Sequence, residues 1–529
     1  MHPLSLLHKN SYARVGDIVN VDNVVPPTSW SLEDIESWLI FQVTEIQSNK
    51  KPLSATGDLF EQGLDSLGAT VLRHRIVGAL QTSKSPSAAR HVTQATIYEN
   101  SSISKLARFI VGVVTHPDRL TSTSSRVDEI EEMIKKFSPT ELTSTSSTKW
   151  DAAEDKDHVV ALITGTTGNL GAQLVDIFLR DGRVTKVYTL NRPSSGEKDI
   201  KARHAERFID KGLDVARLSD DRLVFLEGDA SQVNLGLSDE IYEEVRITPT
   251  FWTVAKAFFL FGFQMRGCVN VIIHNAWRLD FNLSLSSFKS NIRGTQHLVE
   301  FALTARQVSS LRFLFTSSVT SASSWDQSKG RYPEDVILDA KYAVGSGYGE
   351  GKYVAERVKI FFWEKKLTAS SLSLTQILAQ SGLQFTSFRI GQVSGGLPNG
   401  AWATTDWVPI FVKSSLELGA LPSATGVVSW LPMHAVAQTL LDVALSTGTK
   451  MQPALNVVHP RPVAWASVIS AVNDALVQED VVKERLPVVE FSKWFELLET
   501  RAREKLSTKQ MNDIVCIANS FIPLIYVEN

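Results

Sequence analysis

Cysteine is almost absent from these 529 residues: only Cys268 and Cys516 occur. That leaves no disulfide framework and no cysteine-rich metal site, and it fits a reducing compartment, the cytosol by default. No run reaches the roughly 18 uncharged apolar residues that a bilayer span needs. The nearest, Phe251–Phe263, is short and carries Lys256, so no stable membrane association is expected. The opening MHPLSLLHKNSYARVGD lacks the basic-then-apolar layout of a signal peptide. Charge of one sign is also missing: 54 basic against 57 acidic side chains give a net −3, with no basic excess to attract nucleic acid. What remains is the composition of an ordinary soluble protein, long enough for two or three domains of roughly 100–200 residues each.

The chain is organised around Val159 to Gly171, VVALITGTTGNLG. An apolar run breaks at Thr164-Gly165 and passes through Gly168 and Gly171 into a helical pattern over Ala172–Arg180. Strand, glycine turn and helix in that order let backbone N–H groups at a helix start approach a pyrophosphate. Gly165, Thr167, Gly168, Asn169, Leu170 and Gly171 are the candidate cofactor cradle, although turn glycines between a strand and a helix are common. Downstream, Lys186–Leu190, Leu223–Leu226, Val269–Ile273, Leu311–Thr316 and Phe385–Ile390 read as strands alternating with helices, a parallel sheet with helices on both faces. The second strand ends Leu190-Asn191-Arg192, where an NAD enzyme would place an acidic residue. Arginine there suits a 2′-phosphate, so NADPH is favoured.

Thr316-Ser317-Ser318 closes the fifth strand, and Tyr348-Gly-Glu-Gly-Lys352 begins a helix after the loop Gly345-Ser-Gly347. Residues four apart share a helix face, and an ammonium beside a phenol lowers a pKa normally near 10. A second pair, Tyr353 with Arg357, lacks the glycine-rich loop and reads as structural.

Before this region, Ser31-Leu-Glu-Asp34 reads as a capped helix start running to about Gln47, with Ile35, Trp38, Leu39, Val43 and Ile46 on one face. Gly57 to Leu72 contains DLFEQGLDSLGA, in which Ser66 opens a helix reaching about Leu80. Taken bare, such a serine is an N-cap. Residues 113–157 form a linker rich in Ser, Thr and Asp, holding one helical stripe, Val127, Ile130, Met133, Ile134 and Phe137, expected to pack on either neighbouring domain.

DLFEQGLDSLGA, with the helix before it and Thr96–Asn100 and Ile103–Val111 after it, resembles an acyl or peptidyl carrier domain, a small four-helix bundle covering about 25–112. The resemblance implies 4′-phosphopantetheine on Ser66, attached by a phosphopantetheinyl transferase and holding an acyl group as a thioester. Thr164–Gly171, Gly228-Asp229-Ala230, His274-Asn275-Ala276, Ser317-Ser318, Tyr348 with Lys352, and Arg389-Ile-Gly-Gln392 resemble the extended short-chain dehydrogenase/reductase superfamily. More closely, residues 158–529 look like the thioester reductase domain of fungal adenylate-forming, NRPS-like reductases, relatives of carboxylic acid reductases. The implied fold is the carrier bundle followed by an α/β Rossmann-like domain, 158–396, and a smaller substrate lobe, 397–529. The implied catalytic set is Ser318, Tyr348 and Lys352, with Asp229, Asn275, Ala276 and Lys352 also lining the cofactor; no metal is implied. The implied reaction is NADPH-dependent release of a tethered small carboxylic acid as an aldehyde, or onward to the alcohol. A reductase or epimerase acting on a free small molecule, or an inactive fragment of a larger synthetase, are the alternatives.

Four features depart from that family. Only residues 1–24 precede the carrier, so an adenylation domain or a separate loading enzyme is expected as partner. Ile247–Cys268 stands where relatives have a short turn, either a retained intron or a genuine insertion, and displaces the expected approach to the fourth strand. His434, in Trp430-Leu-Pro-Met-His434, replaces a helix-capping aspartate. The tail Met511–Asn529 is apolar and reads as unfinished.

Overall fold

The chain is described here by a computed structural model covering residues 25–47, 52–60, 62–64, 66–81, 88–89, 92, 96–97, 100–115, 123–138, 158–194, 196, 198–246, 269–281, 283–304, 311–368, 384–446 and 451–504. Residues 1–24, the 247–268 segment and the 511–529 tail, all singled out above, lie outside them. Two compact units emerge, one from the chain up to residue 120 with 404–427 and 463 onward, the other from 121–403 and 428–462.

In the first unit, α1 (Leu32–Gln47), α2 (Ser66–Gln81) and α3 (Ile103–Thr115) bury one apolar cluster. Ile35, Leu39 and Val43 meet Leu72, Ile76 and Leu80 together with Ile103, Leu106 and Ile110. The expected cap forms by half: Ser31 Oγ accepts the Asp34 N–H at 3.3 Å. The Asp34 carboxylate instead accepts the Ser29 hydroxyl at 2.5 Å, because Ser29 Oγ already takes the Ser31 N–H at 3.2 Å. Ser66 is the first residue of α2; Asp65, and Tyr98 and Glu99 of the Thr96–Asn100 stretch, are outside the described residues. The same unit holds helices Trp407–Leu418, Trp465–Gln478 and Phe491–Glu504. With them is a parallel strand pair, Leu421–Ser423 with Val488–Glu490. The fully buried Trp494 donates its indole N–H to Ala420 O at 3.1 Å.

The second unit is a seven-stranded parallel sheet: β1 (Val159–Thr164), β2 (Val184–Asn191), β3 (Leu223–Glu227), β4 (Val271–His274), β5 (Arg312–Ser318), β6 (Gln384–Ile390) and β7 (Ala454–Val457), in the order β7-β6-β5-β4-β1-β2-β3. All six β1 residues are buried, as a strand covered on both faces requires. The order reverses at β1, so ligands are expected beyond the carboxyl ends of β1 and β4. Helices α4 (Thr123–Phe137), α5 (Asn169–Arg180), α6 (Ile200–Asp210), α7 (Asp239–Arg246), α8 (Lys289–Thr304), α9 (Gly347–Thr368) and α10 (Met433–Leu445) complete it. Leu174, Val175 and Phe178 of α5 and Leu440 and Leu441 of α10 share its core.

Two differences from the sequence reading stand out, and one expectation of it can be followed. The sheet takes in β7 and α10, which the reading assigned to the lobe after 396; β7 covers the edge of β6 by parallel pairing, and four residues are too few to show strand periodicity. The linker stripe, read as a helix packing on a neighbouring domain, is α4, whose Ile130, Met133, Ile134 and Phe137 are buried in this unit. And β4, for all the residues inserted before it, pairs in register with both β1 and β5.

β6 and α9 are joined by a buried ion pair. Arg389, 1% exposed, places Nη2 2.8 Å from Glu356 Oε2, donates to Pro333 O and Asp335 O at 2.8 and 2.9 Å, and lies 4.4 Å from the Tyr332 ring centroid. The Ser317 hydroxyl donates to the same carboxylate. Breaking one half of a buried pair strands the other charge. Arg389→Ala is therefore expected to cost about 3–5 kcal/mol in urea unfolding, and Arg389→Met with Glu356→Leu much less. A single-variant cost under about 1 kcal/mol would contradict the pairing.

Candidate active site

The glycine turn is set by close backbone approach. Gly165 has φ +71°, and a Cβ there would lie 2.8 Å from Ala276 Cα; at Gly171 it would lie 2.2 Å from Gly165 O. Only glycine lets α5 settle on β1 and β1 on the end of β4. Gly168 caps α5 without a side-chain hydrogen bond, and Asn169 Oδ1 is buried without a partner. Helix N–H groups without a side-chain cap and a turn that admits no Cβ fit the phosphates of a dinucleotide.

Asn191, at the end of β2, braces this turn rather than facing outward. Its Oδ1 accepts the Thr167 N–H at 3.2 Å and its Nδ2 donates to Thr166 Oγ1 at 2.7 Å. The Thr166 hydroxyl then donates to His204 Nε2 at 2.8 Å, because His204 Nδ1–H is committed to Ile200 O at 2.8 Å. Burial holds His204 below the usual imidazole range, so it is neutral. Arg192 is exposed, and its carbonyl accepts from Arg203 Nη1 at 2.8 Å, while Arg203 Nη2 lies 3.5 Å from Thr167 Oγ1. Arg203, which the sequence reading missed, is thereby a second cation beside the turn; its signal is a place one turn after Asp199, which caps α6 through the Ala202 N–H at 2.7 Å.

Beyond β3, Asp229 Oδ1 accepts the Ser231 N–H at 2.8 Å and shapes the next turn. At the end of β4, Thr164 Oγ1 accepts the N–H groups of Asn275 and Ala276 at 3.0 and 2.9 Å. Its own proton is left for His274 Nδ1 at 3.1 Å, and His274 Nε2–H reaches Thr295 Oγ1 at 3.0 Å. Asn275 Nδ2 donates to Gly165 O at 3.3 Å. Thr164, His274 and Thr295 thus pin the first and fourth strands together at the site; the sequence reading placed the first two in motifs and did not single out Thr295.

Ser318, Tyr348 and Lys352 come together at the end of β5. Ser318 Oγ accepts from the Thr320 N–H and hydroxyl at 3.2 and 2.9 Å and is hydrogen-bonded to Tyr348. Tyr348 is buried, its ring 4.7 Å from Phe281 and 6.0 Å from Phe288. Lys352 Nζ donates to Thr316 O at 2.6 Å and sits 4.4 and 4.8 Å from the Trp277 and Phe315 ring centroids. The expectation that Lys352 lowers the Tyr348 pKa is corrected: burial pushes the phenol well above 10, and only Ser318 pulls it back. The ammonium is engaged by Thr316 and lies 5.6 Å from the Tyr348 ring centroid. Tyr353 donates to Ile337 O at 2.9 Å and accepts from Arg357 at 3.0 Å, a structural pair. His434 is not a cap; Pro432 holds that position, and His434 Nδ1 accepts the Leu397 N–H at 3.1 Å. Among the described residues no His, Cys, Asp or Glu cluster could hold a metal ion, and no helix is long and apolar enough to cross a membrane.

The male sterility protein family of NAD-binding domains matches residues 163–250 and 263–440. An adenylate-forming reductase, Nps11, of Serpula lacrymans var. lacrymans is 44% identical over 92% of the chain, and a carboxylic acid reductase of Neurospora crassa 27% identical over 94%. The chain spans 41% and 43% of the lengths of these relatives. A thiolation–reductase di-domain of an archaeal non-ribosomal peptide synthetase has the same fold at TM-score 0.57 and 17% identity, over 96% of this chain and 92% of that one. The terminal R domain of the myxalamid pathway aligns at TM-score 0.52 and 20% identity, over 74% and 85%.

His204 gives the turn a pH dependence. A histidine whose folded pKa is depressed adds stability above its ordinary value near 6.5 and loses it as pH falls from there through the folded value. The free energy of urea unfolding is expected to drop between about pH 7.5 and pH 5.5, with a slope up to about 1.4 kcal/mol per unit that His204→Asn reduces. An unchanged slope in His204→Asn would contradict the assignment.

Proposed function

We propose a function from the premise that the chain belongs to the male sterility protein family of NAD-binding reductases: it reduces an acyl thioester, carried on phosphopantetheine at Ser66, to an aldehyde with NADPH. The observation that carries this reading is the junction of Ser318, Tyr348 and Lys352 beside the glycine turn at the carboxyl ends of β1, β4 and β5. The relatedness to adenylate-forming and carboxylic acid reductases supports it.

The Gly165–Gly171 turn and the start of α5 would hold the pyrophosphate, Arg192 and Arg203 the 2′-phosphate, and Lys352 with Asn275 and Ala276 the nicotinamide half. Bound there, the reduced nicotinamide supplies a hydride to the thioester carbonyl carbon. Ser318 and Tyr348 hydroxyls bind the carbonyl oxygen as it gains charge, and Tyr348 gives it a proton. Burial makes the Tyr348 phenol a weaker acid, and its hydrogen bond with Ser318 acts against that. The carbon–sulfur bond then breaks, the oxygen's proton passes to the departing sulfur, and aldehyde and thiol result. The loading enzyme, whether an adenylation domain or a separate protein, and the cytosolic setting belong to this same reading.

Intact mass after treatment with a phosphopantetheinyl transferase is expected to rise by one phosphopantetheine, and not in Ser66→Ala. No gain on folded protein would favour a reductase acting on a free small molecule. Replacing both Arg192 and Arg203 by Ala is expected to raise the KM for NADPH about tenfold or more, since charge-assisted contacts are worth about 1.5–3 kcal/mol each, with little change for NADH. Equal losses with both cofactors would contradict the 2′-phosphate assignment.

A further inference from the structure

Glu350 stands midway between Tyr348 and Lys352. At 100° per residue, positions 348 and 352 share one face of α9 and position 350 points the opposite way. Its side chain is 1% exposed and turns to α4, where Arg126 donates to Oε1 from Nε at 3.2 Å and from Nη2 at 2.6 Å. The same Oε1 accepts the Gly345 N–H at 3.1 Å, and Arg126 Nη2 also donates to Gly345 O at 2.9 Å. One guanidinium therefore holds both the helix that bears the catalytic pair and the loop that leads into it. A planar fork with several donors does this; a lysine ammonium has no equivalent geometry. α4 is in turn anchored along its length, by Glu131 at 3.8 Å from Arg357 and by Phe137 under Arg293 at 5.9 Å.

We infer that Arg126 is a positioning residue for the reduction: from the helix preceding the sheet it fixes the Gly345–Gly347 loop, and thereby the pose in which α9 presents Tyr348 and Lys352. This rests on the reading of Tyr348 as proton donor. Neither Arg126 nor Glu350 touches the reacting atoms, so the effect is on turnover rather than on cofactor affinity.

The test uses the full chain, benzoyl- and hexanoyl-pantetheine as thioesters, NADPH consumption as rate, and hydrogen exchange of the 345–352 segment. Arg126→Ala is expected to lower kcat about tenfold or more, leave the KM for NADPH within about twofold and speed exchange in 345–352. Arg126→Lys is expected to fall between Arg126→Ala and the unaltered chain in kcat, and Glu132→Gln, at an exposed position of α4, to change neither measure. Because removing Arg126 strands a buried carboxylate, Arg126→Ala is also made with Glu350→Gln; this double variant is expected to stay folded and remain slow, since Gly345 O is no longer held. Recovery of full rate in the double variant, or unaltered kcat and exchange in Arg126→Ala, would overturn the inference by showing that Arg126 only neutralises a charge or does nothing. Tyr348→Phe separates the two levels: if it retains full rate, or if the unaltered chain reduces neither thioester, the underlying reading fails and the inference with it.

Discussion

The site depends first on a distance that no side chain could tolerate. Gly165 O occupies the space where a Cβ at Gly171 would lie, 2.2 Å away, and Ala276 fills the space beside Gly165. That contact presses α5 onto β1 and brings β1 against the end of β4, and every later feature inherits its position from it. Thr164 then ties the Asn275 and Ala276 backbone to β1, and Asn191 ties β2 to the turn.

Around this backbone junction, buried polar groups fix the second half of the site. α9 is held on three sides. Glu356 binds Arg389 of β6 and the Ser317 hydroxyl of β5. Glu350 binds Arg126 of α4. Lys352 reaches Thr316 O. Each of these groups would be costly to bury alone, so partners must be present and well placed. Tyr348 is then embedded among Phe281, Phe288 and Ser318, its hydroxyl hydrogen-bonded to that of Ser318.

Much of this was legible in local pattern. The strand–turn–helix around Gly165, the alternation of strands and helices, and the four-residue spacing of Tyr348 and Lys352 are short-range signals, and the sheet and the cluster of Ser318, Tyr348 and Lys352 carry them. What was not legible is long-range. Arg126 and Glu350 are 224 residues apart, and nothing in a charged helix marks which arginine is buried against which acid. Arg203 looks like any helix-surface cation until β2 and α6 are packed. β7 is too short to read, and its membership of the sheet follows from the edge that β6 would otherwise leave. The lysine effect on Tyr348 failed because sequence gives proximity but not desolvation, and burial outweighs a cation whose hydrogen bond goes elsewhere.

The account is tested most directly by following the hydride itself. Chain bearing an acyl thioester on Ser66 is mixed with NADPH deuterated at the transferable C4 position, and the released product is weighed. One deuterium on the former carbonyl carbon of an aldehyde or alcohol, with no product from Tyr348→Phe, is the predicted result. Release of the unlabelled acid, or a thioester that persists beside unconsumed NADPH, would contradict reductive release at this site.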